Sequence, residues 1–255
     1  RTPVPSWDWL NEAGRILGRI RRTQGPSIAR AAALMARSIA AERWVHMFGA
    51  GHAHIPLEEV YPRSGGYVGF HPIGELALTN FLNVVGSSGV RQFCFLERQE
   101  GYGDAIMANY DMDPRDTMWI FSHSGINAVI MDVAFAAKRR GVPVVATTSL
   151  AHSRAARARH SSGKKLFQVA DVVIDSCVPR GDAMIEVPGL RHKVGPGSTL
   201  GFIAVANSVV VETARNLLEL GVTPLVNPTA NLPGDDADAV IERNTVEYQR
   251  RLRRE

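Results

Sequence analysis

Within WIFSHSGINAVIMDVAFAAKRRGVPVVATTS, residues 119–149, hydroxyls gather in two places: Ser122 and Ser124 in an SHSG loop, and Thr147, Thr148 and Ser149 about a helix's length further on. Two serine hydroxyls, a glycine at 125 that admits close backbone approach, and the unpaired amides of a following helix start together suit an anion, most naturally a phosphate. The bland alternative is that Ser124 or Asn127 merely caps the helix. Paired serines, Gly125 and a second hydroxyl cluster favour the phosphate site.

The flanking pattern supplies the elements that must position these groups. Met118 to Phe121 is a short apolar run, after which Ile126, Val129, Ile130, Val133 and Ala137 take the spacing of one helix face. Lys138, Arg139 and Arg140 suit the negative end of that helix, Gly141 ends it, and Val142 to Ala146 reads as a second strand. Parallel strands joined by a helix bring both hydroxyl clusters to one sheet edge, the carboxyl end where open α/β sheets bind ligands. Thr147, Thr148 and Ser149 are therefore expected to face the same pocket as the SHSG loop.

Elsewhere the chain alternates helix and strand patterns. Ser6 to Arg22 and Pro26 to Glu42 read as helices before any strand, and Trp44 to Phe48 as the first strand, ending in GAGHAH. Phe93 to Leu96 and Asp171 to Ile174 are further strand candidates, residues 199–220 form the longest helix, and the polar tail after Pro228 is expected to end in a charged helix. The long helix is apolar almost all round over Phe202 to Val211, which a subunit interface would explain.

With 255 residues and 45% hydrophobic content the chain can bury a large core. A formal charge of +4, from 29 basic and 25 acidic residues, is too mild to argue for nucleic acid, and runs such as KRR at 138–140 and RRLRR at 250–254 read as solvated faces. Cys94 and Cys177 are isolated, and neither a secretory leader nor an apolar run of membrane-spanning length appears. The expectation is a cytoplasmic protein with no membrane and no nucleic-acid partner.

FGAGH after the first strand, IFSHSGIN after a central one, VVATTS after the next and VGPGST opening a long helix together resemble the sugar isomerase (SIS) domain family over Trp44 to Gly221. The wider pattern, including ERQEGYGDAI and NPTANLPG, is similar to stand-alone bacterial members, and partly to the N-acetylmuramic acid 6-phosphate etherases. The resemblance implies an α/β three-layer sandwich, a flavodoxin-like five-stranded parallel sheet flanked by helices, with N-terminal helices over 1–43, the SIS domain over 44–221 and a C-terminal tail over 222–255. It also implies a homo-oligomer, dimer or tetramer, and a phosphorylated sugar as ligand. The family's phosphate contacts fall here on Ser122, Ser124, Asn127, Thr147, Thr148 and Ser149, with Asn127 standing where many relatives have Thr or Ser.

Aldose to ketose conversion further needs a base for the proton beside the carbonyl and an acid to move protons between oxygens. In the GAGHAH turn, Gly51, His52 and His54 are candidate substrate groups, His52 also for proton transfer. Glu58 and Glu59 follow in the next helix, where acids also suit the helix dipole. Phosphoheptose isomerase and the etherases carry their helix acid about a turn later, near Arg63 of this chain. Resemblance to the etherase strand end makes Glu100 the leading catalytic acid, with Glu97 as alternative and Glu59 behind it. Glu75 is a candidate to orient a substrate hydroxyl, though it and His71 also fit turn and cap positions. Ser161 and Lys164, beside His160 and Ser162, read as a flap meeting the phosphate or as a solvated basic loop. Ser198 and Thr199 open the long helix as caps or substrate contacts, and His192, just upstream, is a further catalytic candidate placed to reach the site.

His52 and His54 lack a third ligand at metal-site spacing, and GAGH lacks the third glycine of a dinucleotide fingerprint, so neither metal nor cofactor is expected. The leading expectation is a phosphosugar isomerase working through an enediol-like intermediate. A phosphosugar lyase or etherase and a non-catalytic phosphosugar sensor are the alternatives. About 43 residues precede the first strand, too few for the DNA-binding domain and linker of the family's transcription regulators.

Overall fold

A computed structural model describes residues 6–79, 89–231 and 236–253. Helices α1 (Asp8–Thr23) and α2 (Gly25–Ala40) precede strand β1 (Val45–Gly49). A 3-10 turn over Gly51–His54 leads to α3 (Ile55–Val60), β2 (Phe70–Ile73), α4 (Leu76–Thr79), α5 (Val90–Leu96) and α6 (Tyr102–Met107). Next come β3 (Thr117–Phe121), α7 (Ala128–Arg139), β4 (Val144–Thr148), α8 (Leu150–Ala155), α9 (Leu166–Val169) and β5 (Val172–Asp175). A two-stranded antiparallel hairpin, β6 (Ala183–Ile185) and β7 (Val194–Pro196), precedes α10 (Ser198–Glu219) and α11 (Ala237–Leu252).

The main sheet is wholly parallel with order β2-β1-β3-β4-β5. Because side chains alternate along a strand, each central strand feeds two cores. Val45 and Met47 of β1 and Trp119 and Phe121 of β3 join Ile16, Met35, Leu57 and Phe202 on one face. Phe48, Met118 and Ile120 join Ile106, Val129 and Val133 on the other. A sheet covered by helices on both sides gives the expected three layers. The chain leaves β1 towards β2 and returns on the other side as β3, so the topology switches between β1 and β3.

The fifth strand is not the one read from the sequence. Phe93 to Leu96 lies in the helix α5, with Phe93 N–H donating to Gly89 O and Phe95 61% exposed. A four-residue apolar run carries no period, and here helix wins. The missing strand is β2, hidden by Pro72. That proline is tolerated because β2 is the sheet edge, where an amide is dispensable.

Helix α10 buries Phe202, Val205, Ala206, Val209 and Leu217 within the chain, in the core shared with α1 and α2, while Val211, Leu218 and Leu220 stay exposed. Helix α11 carries Tyr248, stacked on Tyr61 at 4.9 Å. The motif NLPGDD and the run at 250–254 extend into residues 232–235 and 254, which lie outside the described residues, as do 1–5 of the expected N-terminal segment.

At the amino edge of the sheet, Asp116 clasps the start of β1. Its carboxylate accepts from Arg43 Nε (3.0 Å), Arg43 Nη2 (2.9 Å), Trp44 N (2.9 Å) and Asp113 N (2.7 Å). Beside it His71 packs among Trp44, His46 and Tyr110, and burial, with His46 nearby, lowers its pKa from 6.5 to about 4 against the opposing pull of Asp116. Between those two values the unfolded chain takes up a proton that the folded one refuses, so this contribution is intact above pH 6.5 and lost as pH falls towards 4. The loss is on the order of 3 kcal/mol. Urea denaturation at pH 7.5 and 4.5 is expected to show it, with a smaller drop in His71→Phe; an unchanged drop in that variant would contradict the assignment.

Candidate functional site

The loops leaving the carboxyl ends of β1 and β3, the two strands flanking the topology switch, enclose a cleft of about 270 Å³. Ala50, Gly51, His52 and Ala53 line it from the β1 side, and Ser122, His123, Ser124 and Asn127 from the β3 side. Val90, Phe93, Cys94 and Glu97 enter from α5 and its end; Asp182, Ser198 and Phe202 enter from the hairpin and α10. No lysine or arginine is among these lining residues.

The serine loop is a tight turn closed by its own hydrogen bond. Ser122 Oγ accepts from Gly125 N at 3.0 Å, while the amides of Ser124, Ile126 and Asn127 meet no acceptor among the described residues. Gly125 sits at φ +60°, and a Cβ there would lie 3.2 Å from both Leu166 Cβ and Thr148 Oγ1, so this close, left-handed turn favours glycine. Gly51 opposite has φ +63° and would place a Cβ 2.8 Å from the ring of Phe93. Backbone amides and the Ser124 hydroxyl therefore supply anion-binding groups without a cation.

Of the two carboxylic acids lining this cleft, Asp182 is taken up by the start of α10, which leaves Glu97. Burial raises its pKa, outweighing Arg98, Arg159 and a hydrogen bond from Asn127 that favour the ionised form. Asn127 Nδ2 donates to Glu97 Oε2 at 2.5 Å, and its Oδ1 accepts from Arg159 Nη1 at 2.7 Å. Arg159 thus fixes the amide orientation, and Glu97 Oε1 has no hydrogen-bond partner among the described residues. A carboxyl group with a raised pKa, held by one oxygen and open at the other, can both take and return a proton.

The structure does not bring the other hydroxyl cluster to the cleft. Thr147, Thr148 and Ser149 are fully buried. Thr147 Oγ1 accepts from Trp119 Nε1 (3.0 Å), Thr148 Oγ1 donates to His123 O (3.2 Å), and Ser149 Oγ donates to Val178 O (2.7 Å) while capping α8 at His152 N. Strand β4 is one strand away from the switch, and its Thr148 hydroxyl braces the serine loop from behind. Glu100 also lies off the lining: its carboxylate accepts from Ser161 N (2.6 Å) and Ser161 Oγ (2.5 Å), bonds that lower its pKa. Lys164 is exposed in the same segment.

Other candidates are dispersed. Glu59 pairs with Arg63 and accepts from Asn207 Nδ2 (3.1 Å), lining a separate cavity of about 140 Å³. His54 faces Gly51 O and Glu58 (3.5 Å) instead of the cleft. Glu75 accepts from Ala77 N at the start of α4 and, with burial, helps raise the Tyr102 pKa to about 12. His192 lies on the loop between β6 and β7, in a cavity formed by residues 186–193. Ser198 does line the cleft, but its amide and hydroxyl are taken by Asp182 (2.7 and 2.9 Å); Thr199, beside it, is half-buried in the first turn of α10.

Sequence reasoning passed over His123 and Asp182. Asp182, at φ +71°, binds the start of α10 from 16 residues earlier in the chain and lies 60 residues beyond Ser122, so it carried no local signal of a place in this cleft. His123 stands between the two chosen serines, which was the available clue. No helix among the described residues is long and apolar enough to cross a membrane, and no group of three or more His, Cys, Asp or Glu there is disposed to hold a metal ion.

A family model for the SIS domain matches residues 8–149. A UPF0309 protein of Shouchella clausii is 37% identical over 219 residues, 85% of this chain and 87% of its own. One from Caldanaerobacter subterraneus is 34% identical over 252 residues, 96% and 98% of the two chains. Phosphoheptose isomerases from Neisseria gonorrhoeae and Francisella tularensis superpose with TM-scores of 0.52 and 0.53 at 15% and 13% identity, over 80% and 83% of this chain and 94% and 100% of theirs. That likeness is one of fold.

Proposed function

The chain belongs to the SIS domain family, and from that premise we propose that it binds a phosphorylated sugar in the cleft between β1 and β3 and interconverts its aldose and ketose forms. The observation that carries this reading is that one cleft holds both an anion-binding serine loop and Glu97, a carboxylic acid with a raised pKa. Phosphate sits against Ser124 and the amides of residues 124, 126 and 127. That anchor positions the carbonyl end of the sugar near the α5 side, where Glu97 Oε1 takes the proton from the carbon beside the carbonyl. Returning it to the neighbouring carbon, as the hydroxyl proton moves between the two oxygens, completes the exchange through an enediol.

Two features give Glu97 this role over Glu100. Its pKa is raised, where that of Glu100 is lowered, and one of its oxygens is uncommitted, where both of those of Glu100 bind Ser161. The same reading takes the protein as cytoplasmic and as a homo-oligomer, with the exposed Val211 and Leu218 of α10 and Leu220 at its end as apolar surface for self-association.

The test is a thermal-shift screen against ribose 5-phosphate, fructose 6-phosphate, glucosamine 6-phosphate and related sugar phosphates, with hits followed by NMR for product. A ligand of the native state raises the melting temperature. Stabilisation together with aldose to ketose conversion is expected. Stabilisation without any conversion overturns the enzymatic part, and cleavage of an ether or C–O bond would make the protein a lyase.

A further inference from the structure

His123 occupies the centre of the serine loop, yet neither of its ring nitrogens finds a hydrogen-bond partner among the described residues. Both are shielded from solvent, and buried nitrogens of this kind are seldom left unmatched in folded proteins. The backbone of the residue is firmly held: its carbonyl accepts from Ser149 N (3.1 Å) and Thr148 Oγ1 (3.2 Å). Its ring packs edge to face on His152, with centroids 4.7 Å apart.

Four of the polar residues around the loop are already committed. His152 Nδ1 accepts from Gly181 N (3.1 Å), Ser122 Oγ accepts from Gly125 N, and Asn127 is shared between Glu97 and Arg159. Asp182 accepts from Gly197 N (3.0 Å), Ser198 N and Ser198 Oγ. The open space beside His123 is the cleft that the residue lines.

We propose that His123 recognises the sugar portion of the ligand, its neutral imidazole offering one donor and one acceptor to an adjacent carbonyl and hydroxyl oxygen, while the loop around it holds the phosphate. This rests on the phosphosugar reading of the cleft and assigns the residue that distinguishes a sugar phosphate from phosphate alone. An uncharged ring fits that division of labour: burial and the neighbouring His152 oppose protonation, outweighing Asp182, so the ring presents hydrogen-bonding groups matched to neutral oxygens. The serine hydroxyl and loop amides, donors aimed at an anion, complement it.

The experiment compares wild type, His123→Phe and His123→Gln by calorimetry, with inorganic phosphate and with the sugar phosphates named above. Phe keeps the ring packing on His152 and removes both nitrogens; Gln restores a donor and an acceptor. Expected is a loss of about tenfold or more in sugar-phosphate affinity for Phe, partial recovery in Gln, and unchanged affinity for inorganic phosphate. Equal loss for both probes makes His123 a structural brace of the loop and overturns the proposal, as does sugar-phosphate binding that is unaffected in Phe. A wild type that binds inorganic phosphate but none of the sugar phosphates overturns the phosphosugar reading itself, and this assignment with it.

Discussion

Replacing Glu97 with glutamine is expected to lower kcat for sugar-phosphate conversion by about 10²–10⁴-fold while phosphate affinity changes by no more than about twofold. Glutamine keeps the oxygen that accepts from Asn127 Nδ2, so the link to Arg159 survives while the transferable proton is lost. Because burial raises the Glu97 pKa, the acidic limb of the wild-type kcat/KM profile is expected above the usual carboxylate range. The informative control is Glu100→Gln, which loosens the contact to Ser161 and is expected to reduce kcat by no more than about fivefold. Steady-state kinetics on the three proteins decides. A large loss in Glu100→Gln with normal turnover in Glu97→Gln would reverse the assignment.

The double variant Ser122→Ala, Ser124→Ala is expected to weaken sugar-phosphate binding by about 100-fold or more, because hydrogen bonds to a charged group contribute about 1.5–3 kcal/mol each. The two serines act differently. On the proposed reading Ser124 contacts the phosphate, whereas Ser122, bonded to Gly125 N, holds the shape of the loop. Calorimetry on the folded variant, checked by circular dichroism, reads the effect. Unchanged affinity would remove the phosphate from this loop. Thr147→Val offers a contrast, since its hydroxyl accepts from Trp119 Nε1 in the core and its loss is expected to lower stability more than affinity.

Much of the layout was legible because period and punctuation agree. β1, β3, β4 and α7 follow from short apolar runs, a clean helical face from Val129 to Ala137, and Gly141 with Pro143 behind it. Where local signals conflict, the reading failed. Pro72 argues against a strand in isolation, and only its place at the sheet edge makes β2 possible. Phe93 to Leu96 is apolar in either helix or strand, and a run of four residues does not decide between them.

For the site, residue type was legible and direction was not. Glu97 and Glu100 are three residues apart, and nothing local distinguishes the first, which ends a helix facing the cleft, from the second, which turns to Ser161. The same holds for hydroxyls: Ser124 and Thr148 carry similar chemistry, but the latter is spent on a carbonyl behind the loop. Asp182 depends on the hairpin and α10 meeting far along the chain, a tertiary fact with no local precursor.

The most direct measurement of the central claim is proton exchange in D₂O: the protein is incubated with each sugar phosphate and the proton on the carbon beside the carbonyl is followed by NMR. An enediol route predicts enzyme-dependent loss of that signal for at least one sugar phosphate, with the paired ketose or aldose appearing and both effects absent in Glu97→Gln. Retention of the signal across a panel that the protein demonstrably binds would contradict the isomerase account and leave a phosphosugar-binding protein without this chemistry.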